Sequence, residues 1–508
     1  GPSSNSYSGR IRSTAFYPLP TQSDEEPQEI CCHYKIGFIV LNLWYLFFEQ
    51  GVFLGMNYLP MMTHQSLDDA VAIRQGRGVT LRQFLADVNH IRQLLRPGQH
   101  LLNTCQDRYH FMVGLAAAMV AGKTSLLPST YTTESVKKIV DFAPDLFCIG
   151  DDGNDMGFPY LAFPIALPDA PVDSSPTIPR LDESLPVAYV FTSGSTGIPV
   201  PHLKTWGDLV HSVRAEAQRL GLLDGRTYTV VGTVPPQHMY GFESTILMVW
   251  QCAGIIATER YFYPADIYAG ISSVARPRVL ISTPVHLRSM LATDMPLPSV
   301  DLLLSATAPL TRDLAANAEA RFCSELLEIY GSTETGVVAT RRTSQTKEWH
   351  LLPELSWMTK GDRIRIQGGH LQQAMAVGDA IEIVDEQHFL LYGRTEDLVN
   401  IAGKRSSISH LNHQLTSVSG VLDGVFFMPD ESGDGRVTRL VAFAVAPDLD
   451  VEIIIERLKQ CVDPAFIPRP LKIVDSLPRN TTGKISREAL KAMVGALIGN
   501  EERSSEIL

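Results

Sequence analysis

Val190-Phe191-Thr192-Ser193-Gly194-Ser195-Thr196-Gly197-Ile198-Pro199 runs an apolar segment straight into a loop dense in glycine and hydroxyls. Glycines let a backbone turn with its N–H groups pointing inward, and Ser193, Ser195 and Thr196 add hydroxyl donors that can follow phosphate oxygens. By composition alone such a run also fits an ordinary surface turn. It is not the P-loop of nucleoside triphosphatases, because no Gly-Lys-Ser/Thr closes the required spacing. Downstream, Thr205-Trp206-Gly207-Asp208 reads as a helix-capping start, and Trp206, Leu209, Val210, Val213, Ala217 and Leu220 recur at helical spacing. The expected order is strand, loop, helix.

The 508 residues suffice for two or three domains with a buried core. A formal net charge of −12 argues against a general nucleic-acid binder, which would carry a basic surplus. Seven scattered cysteines (31, 32, 105, 148, 252, 323 and 461) fit a reducing cytoplasm, with neither a disulfide framework nor a zinc site. The first 55 residues differ from the rest. They begin Gly-Pro-Ser, continue through a polar segment and turn strongly apolar from Ile36 to Phe48. Thirteen residues are short for a bilayer crossing. A leader of separate origin, a buried or partner-facing helix, and membrane contact through residues 36–54 stay open for this stretch, with Met56 read as a native start.

Between Leu101 and Ile329 short β-rich runs alternate with amphipathic stretches, the habit of parallel sheets with crossover helices. The expected strands are Ala188–Thr192, Thr229–Val234, Ile255–Thr258, Val279–Ser282, Leu302–Ser305 and Leu326–Tyr330. Helices are expected over Leu209–Leu220, Val285–Ala292 and Arg312–Phe322. Near Asp397 a second regime of short strands and Gly/Asp turns begins, ending with an amphipathic Val451–Val462 segment. The expected fold is α/β: a large N-terminal domain of parallel and mixed sheets with helices over 56–396, and a small mobile α+β domain over 397–508.

Four further segments join the opening loop: Ile329-Tyr330-Gly331-Ser332-Thr333-Glu334-Thr335-Gly336, Val377-Gly378-Asp379, Tyr392-Gly393-Arg394-Thr395-Glu396-Asp397, and Leu477-Pro478-Arg479-Asn480-Thr481-Thr482-Gly483-Lys484-Ile485-Ser486-Arg487. Singly each is a weak signal, because a turn acid or an exposed lysine is usually only that. In this order and spacing they resemble the adenylate-forming superfamily of acyl- and aryl-CoA ligases, peptide-synthetase adenylation domains and firefly-type luciferases, over roughly residues 60 to 500.

The resemblance implies ATP and Mg²⁺ as cofactors and a carboxylate that attacks the α-phosphate, releasing pyrophosphate and leaving an acyl-adenylate for a thiol. Positioning and charge stabilisation dominate such a reaction. It implies that Thr192, Ser193, Gly194, Ser195, Thr196 and Gly197 wrap the β- and γ-phosphates, and that Thr333 meets the α-phosphate. Glu334 holds magnesium, Asp379 takes the ribose hydroxyls beside Arg394, and Lys484 reaches the α-phosphate and the acid. Ala306, Thr307, Ala308, Tyr330, Gly331 and Ser332 complete the nucleotide site. His238, Tyr240, Gly241, Ser282, Thr283 and Gly331 form the acyl pocket. Asp397 is the hinge about which the small domain turns, and Gly403 and Lys404 line the thiol tunnel.

Two departures from the family pattern stand out. Where lysine usually follows Gly197-Ile198-Pro199, this chain has Val200-Pro201-His202-Leu203-Lys204. Lys204 from a shifted position, or His202, takes over that charge, or Lys204 is only a surface residue of the first helical turn. Likewise Ala306-Thr307 stands where a glycine pair is common, narrowing the floor under adenine and substrate. The Thr-Ser-Gly-Ser-Thr-Gly loop with Pro-His and Lys-Thr-Trp is most similar to ligases of bacterial aryl-polyene and xanthomonadin pigment pathways. That implies a hydroxybenzoate-type aromatic acid passed to coenzyme A or to the phosphopantetheine of an acyl carrier protein. Arg436, Arg439, Arg469, Lys472, Arg479 and Arg487 are candidates for a basic face toward such an acidic carrier. A fatty-acid ligase, a non-catalytic relative and a luciferase-like oxygenase are the alternatives.

Overall fold

The computed structural model describes residues 57–505 apart from 129, 152, 154–156, 169–174, 194–198, 361–362, 395–397, 402–403, 430–438, 480–484 and 486. The apolar stretch 36–54, the centre of the opening loop, Asp397, Gly403 and Lys484 therefore lie outside the described residues.

Two large sheets carry the N-terminal part. One has six strands in the order Pro199–Thr205, Pro186–Ser193, Thr124–Leu127, His100–Asn103, Phe147–Gly150, Tyr160–Ala162. All its neighbours run parallel except the first pair. The other has eleven strands, and its centre is a parallel run of Leu326–Ser332, Leu302–Ser305, Arg278–Ser282, Thr229–Gly232 and Ile255–Ala257. Four-residue strands such as Leu302–Ser305 are buried throughout, which is why they read as unbroken apolar runs. Antiparallel strands Gly336–Arg341, Trp349–Leu351, His388–Arg394 and Asp379–Ile383 extend one side of this sheet. All six expected strands and all three expected helices are present, the last of these helices at its expected bounds, Arg312–Phe322.

The expected strand, loop, helix order needs a correction. Residues Pro199–Thr205 form an antiparallel strand against Pro186–Ser193, pairing Val200 with Thr192, His202 with Val190 and Lys204 with Ala188. The segment lies on the edge of its sheet, the place where strands accept proline, so Pro199 and Pro201 do not prevent a strand. Alternation then places Val200, His202 and Lys204 on one face. The helix Trp206–Arg219 starts only after this strand, with Thr205 as its N-cap: the hydroxyl accepts from Asp208 N at 3.3 Å and donates to Asp208 Oδ2 at 2.7 Å. Thr205→Ala is expected to lower stability by about 1 kcal/mol in urea unfolding, and an unchanged midpoint would refute the cap's contribution.

Toward the C-terminus, a hairpin (Leu398–Ile401 and Lys404–Ser407) precedes a three-stranded sheet of Asp423–Phe427, Val441–Val445 and Leu471–Ile473, with helices Ile408–Thr416, Val451–Cys461 and Arg487–Ser505. This smaller α+β part has its own apolar core around Leu411, Leu415, Phe426 and Ile454. Among the described residues no helix is long and apolar enough to cross a membrane.

Candidate active site

Four adjacent parallel strands deliver their carboxyl ends to one edge of the eleven-stranded sheet, the place where open α/β sheets bind ligands. Thr229–Gly232 leads into 233–241, Arg278–Ser282 into Thr283, Leu302–Ser305 into 306–308, and Leu326–Ser332 into the turn before Gly336. Topology thus gathers the residues of four expected site segments that are far apart in sequence.

The turn Ser332–Gly336 is closed by its own hydroxyls, since Ser332 Oγ and Thr335 Oγ1 lie 3.1 Å apart and Ser332 N donates to Thr335 Oγ1 at 3.2 Å. Gly331 crosses this turn so closely that a Cβ there would meet the Gly336 carbonyl oxygen at 2.2 Å. The Glu334 side chain stays 43% exposed, with Oε1 3.4 Å from His202 Nε2. Burial pushes its carboxyl up, but the Ser332 hydroxyl, a backbone N–H and the charges of His202 and Lys204 outweigh it and hold Glu334 below the usual range. An ionised, half-open carboxylate fits magnesium, which takes one or two protein carboxylates and keeps phosphate oxygens and waters. Among the described residues no three His, Cys, Asp or Glu side chains gather as a metal cage.

His202 also lies 3.0 Å from Thr192 Oγ1, so the edge strand brings an imidazole between the end of the opening loop and Glu334. Lys204 is buried at 7% exposure and donates to the Glu334 carbonyl at 3.1 Å. The surface-residue alternative for Lys204 therefore fails: as part of a strand, and not of a first helical turn, its stem points inward. Ser193 ends its strand, and Gly194, Ser195, Thr196 and Gly197 lie outside the described residues.

Asp379 and Arg394 are direct register partners across an antiparallel pair, which explains how residues fifteen apart come to stand together. The Tyr330 hydroxyl donates to Asp379 Oδ2, and its ring is wedged against Trp349 and Phe389 at 5.6 and 5.7 Å. Thr307 adopts φ +81°, a left-handed conformation that strains a β-branched residue by about 1–3 kcal/mol. Ala306 beside it is buried and Ala308 half-buried.

In the acyl-side segment, His238 caps the short helix Met239–Gly241. The Tyr240 hydroxyl donates toward the carbonyls of Ser282 and Leu304 at 3.0 and 3.1 Å, bridging two strand ends. A Cβ on Gly241 would meet the Pro235 carbonyl oxygen at 2.0 Å, so only glycine lets this segment fold back. Ser282 Oγ pairs with Thr233 Oγ1 at 3.1 Å. Thr283 is fully buried, with its hydroxyl 2.9 Å from His286 Nδ1 as the cap of helix Pro284–Leu291. The buried guanidinium of Arg108 donates to the Gly232 and Val234 carbonyls, both at 3.0 Å, and to Thr245 Oγ1 at 3.2 Å, clamping the start of this segment.

In the smaller part, Lys404 is exposed and paired with Asp463 at 2.6 Å. Arg479, at the base of the Lys484 segment, makes two bonds to Asp423 at 2.6 and 2.7 Å and bridges Ile485. Of the residues expected to offer a basic face, Arg479 is therefore turned onto its own domain, and Arg487 lies over the Phe427 ring at 5.5 Å.

Sequence reasoning missed a buried polar cluster beneath the turn. Glu243 and Ser244 sit on a π-helical turn, Phe242–Leu247, that is buried at every residue, and Glu216 faces them from helix Trp206–Arg219. Ser212 Oγ donates to Glu243 Oε1 at 3.0 Å, and Ser244 Oγ to Glu216 Oε1 at 2.9 Å. Burial drives the Glu243 and Glu216 carboxyls up to about 7 and about 8, and it lowers Lys204. The available signal was a charged residue inside the apolar run Phe242-Glu243-Ser244-Thr245-Ile246-Leu247.

A family model described as AMP-binding enzyme matches residues 63–384. The 4-coumarate–CoA ligase of Halorhodospira halophila is 27% identical over 302 residues, covering 58% of this chain and 73% of that protein. The 4-hydroxybenzoate–CoA/benzoate–CoA ligase of Rhodopseudomonas palustris is 24% identical over 475 residues, 79% and 86% of the two chains. Among solved structures, the O-succinylbenzoate coenzyme A synthetase of Bacillus subtilis in complex with AMP superposes with a TM-score of 0.71 at 16% identity, over 86% of this chain and 98% of that one. That likeness establishes the same fold.

Proposed function

The chain belongs to the AMP-binding enzyme family, and from that premise we propose that this AMP-forming acid–thiol ligase activates an aromatic carboxylic acid of the hydroxybenzoate type and passes it to a thiol. The observation that carries the reading is that Glu334, with Asp379 and Tyr330, stands at one side of the eleven-stranded sheet while the edge strand of the six-stranded sheet brings His202 against Glu334. Bound Mg·ATP supplies the electrophilic phosphorus and the pyrophosphate leaving group. The chain's own residues orient and neutralise. Glu334, kept ionised, is the magnesium carboxylate, and Thr333 beside it faces the α-phosphate. Asp379, fixed by Tyr330, holds the ribose, and Arg394, its register partner, adds charge. His202 and Thr192 face the departing pyrophosphate with the loop hydroxyls. Lys484 enters from the smaller domain, which turns at Asp397 and afterwards exposes Gly403 and Lys404 to the thiol.

An aromatic acid is supported by the aryl substrates named for the relatives. Coenzyme A is the acceptor those relatives name. The likeness to pigment-pathway ligases favours the phosphopantetheine of an acyl carrier protein. Pyrophosphate release across benzoates, cinnamates and fatty acids, with product masses taken in coenzyme A or holo carrier protein, tests both points. Release is expected with hydroxylated benzoates, and a fatty-acid preference would overturn the substrate class.

A further inference from the structure

We propose that Arg108 is a positioning residue for the acid pocket: its one guanidinium holds both ends of the 233–241 segment and so fixes where His238 and Tyr240 stand. The inference rests on the ligase reading for what that segment does, but its geometry stands apart from it.

The hold at the first end follows from where the sheet stops. Along strand Thr229–Gly232 and the residues flanking it, the carbonyls of alternate residues point to the same side. Ile255 N donates to the Tyr228 carbonyl on that side at 2.9 Å, and the pairing with strand Ile255–Ala257 ends opposite Val231. The carbonyls of Gly232 and Val234 therefore run on past the last residue of that neighbour. Arg108 Nη2 donates to both at 3.0 Å. Gly232 leaves room for this contact, since a Cβ there would stand 3.0 Å from Arg108 Nη1 and 2.9 Å from Thr245 Cγ2.

The second end is reached through a hydroxyl. Arg108 Nη1 donates to Thr245 Oγ1 at 3.2 Å, and that hydroxyl donates in turn to the Gly241 carbonyl. One planar group thus secures residues 232, 234 and 241, with His238 and Tyr240 between its holds. Its own base is tied down from two directions. Arg108 opens helix Arg108–Val120, whose cap Asp107 accepts from Arg74 Nη2 of the eleven-stranded sheet at 2.8 Å. Asp151, just past a strand of the six-stranded sheet, accepts from Gln106 N and Asp107 N at 2.8 and 2.9 Å.

Among the described residues no carboxylate pairs with Arg108, although it is buried at 5% exposure. Burial lowers the guanidinium only to about 10, which leaves it a cation at neutral pH. A buried cation persists only where its N–H groups are met, so the carbonyls and the Thr245 hydroxyl answer its charge while it fixes them. Lysine would keep the charge but lacks the fork that meets acceptors in several directions.

The test uses the full chain with R108K, T245V and R108K/T245V. Amide hydrogen exchange read by mass spectrometry needs no turnover, and peptides covering 233–245 are expected to exchange about 10-fold faster in both single variants while 279–291 is unchanged. In pyrophosphate exchange, R108K is expected to raise KM for 4-hydroxybenzoate about 10-fold and T245V about 5-fold, with KM for ATP within about 2-fold. The double variant should add less than about 2-fold to R108K, because both substitutions cut one chain of contacts. Unchanged hydrogen exchange at 233–245 in both variants would overturn the hold. A KM for ATP that rises as much as that for the acid would overturn a role confined to the acid pocket, and losses that multiply would break the chain from Arg108 to Gly241. Should R108K fail to fold, T245V, which leaves the guanidinium in place, still decides the second end. If the unsubstituted protein shows no acid-dependent pyrophosphate exchange, the ligase reading fails, while hydrogen exchange still decides the hold.

Discussion

Lys484→Ala is expected to reduce acid-dependent ATP–pyrophosphate exchange by about 10²–10³-fold, the loss typical of removing one donor from a developing oxyanion, with thermal unfolding unchanged. The argument is electrostatic. Joining a carboxylate to a phosphate brings two anions together, and an ammonium reaching both answers charge that grows in the transition state. The fold should be spared because the segment's base is tied down independently. Arg479 holds Asp423 through two bonds and bridges Ile485, and none of these contacts uses Lys484. If the smaller domain does turn after adenylation, the same variant should still convert a supplied acyl-adenylate to thioester. Unchanged exchange would remove Lys484 from the reaction, whereas equal loss of both half-reactions would point to a damaged domain.

The parallel core was legible because its strands are short, apolar and buried on both faces. Leu302–Ser305 and Arg278–Ser282 announce themselves by composition, and Thr311, the cap of Arg312–Phe322, marks a start that sequence can show. The site's contact between Asp379 and Arg394 was legible only through resemblance, since no periodicity reveals a register between strands. The edge strand Pro199–Thr205 was not legible at all. Two prolines hide its alternation, and only the sheet's order shows that the segment is an edge strand, where proline is found. Missing that strand also left Lys204 open between a lysine acting from a shifted position and a surface residue of the first helical turn, whereas strand alternation turns it inward. Glu216 and Glu243 escaped for another reason. A helix that buries its acids looks, residue by residue, like one that solvates them, until its neighbours are known.

Those acids supply the second large effect, which is on stability. Folding raises the Glu216 carboxyl from 4.5 to about 8, burial being the main cause and Glu243 the next. A group raised in the folded state contributes stability that is complete below its unfolded pKa and is lost as pH climbs through the folded value. The unsubstituted protein should therefore lose stability between about pH 5 and pH 8, by roughly 3–5 kcal/mol at about 1.4 kcal/mol per unit. Glu243, raised to about 7, acts in the same direction. Glu216→Gln retains an acceptor for Ser244 Oγ but puts an amide where Oε2 has no partner, a cost of about 1–3 kcal/mol. The variant is thus expected to be the less stable protein at pH 5.5 and the more stable one at pH 8.5, with a flatter dependence between. Urea unfolding at those two values and at pH 7 decides the matter. Parallel pH curves for the two proteins would show that Glu216 does not hold its proton in the folded state.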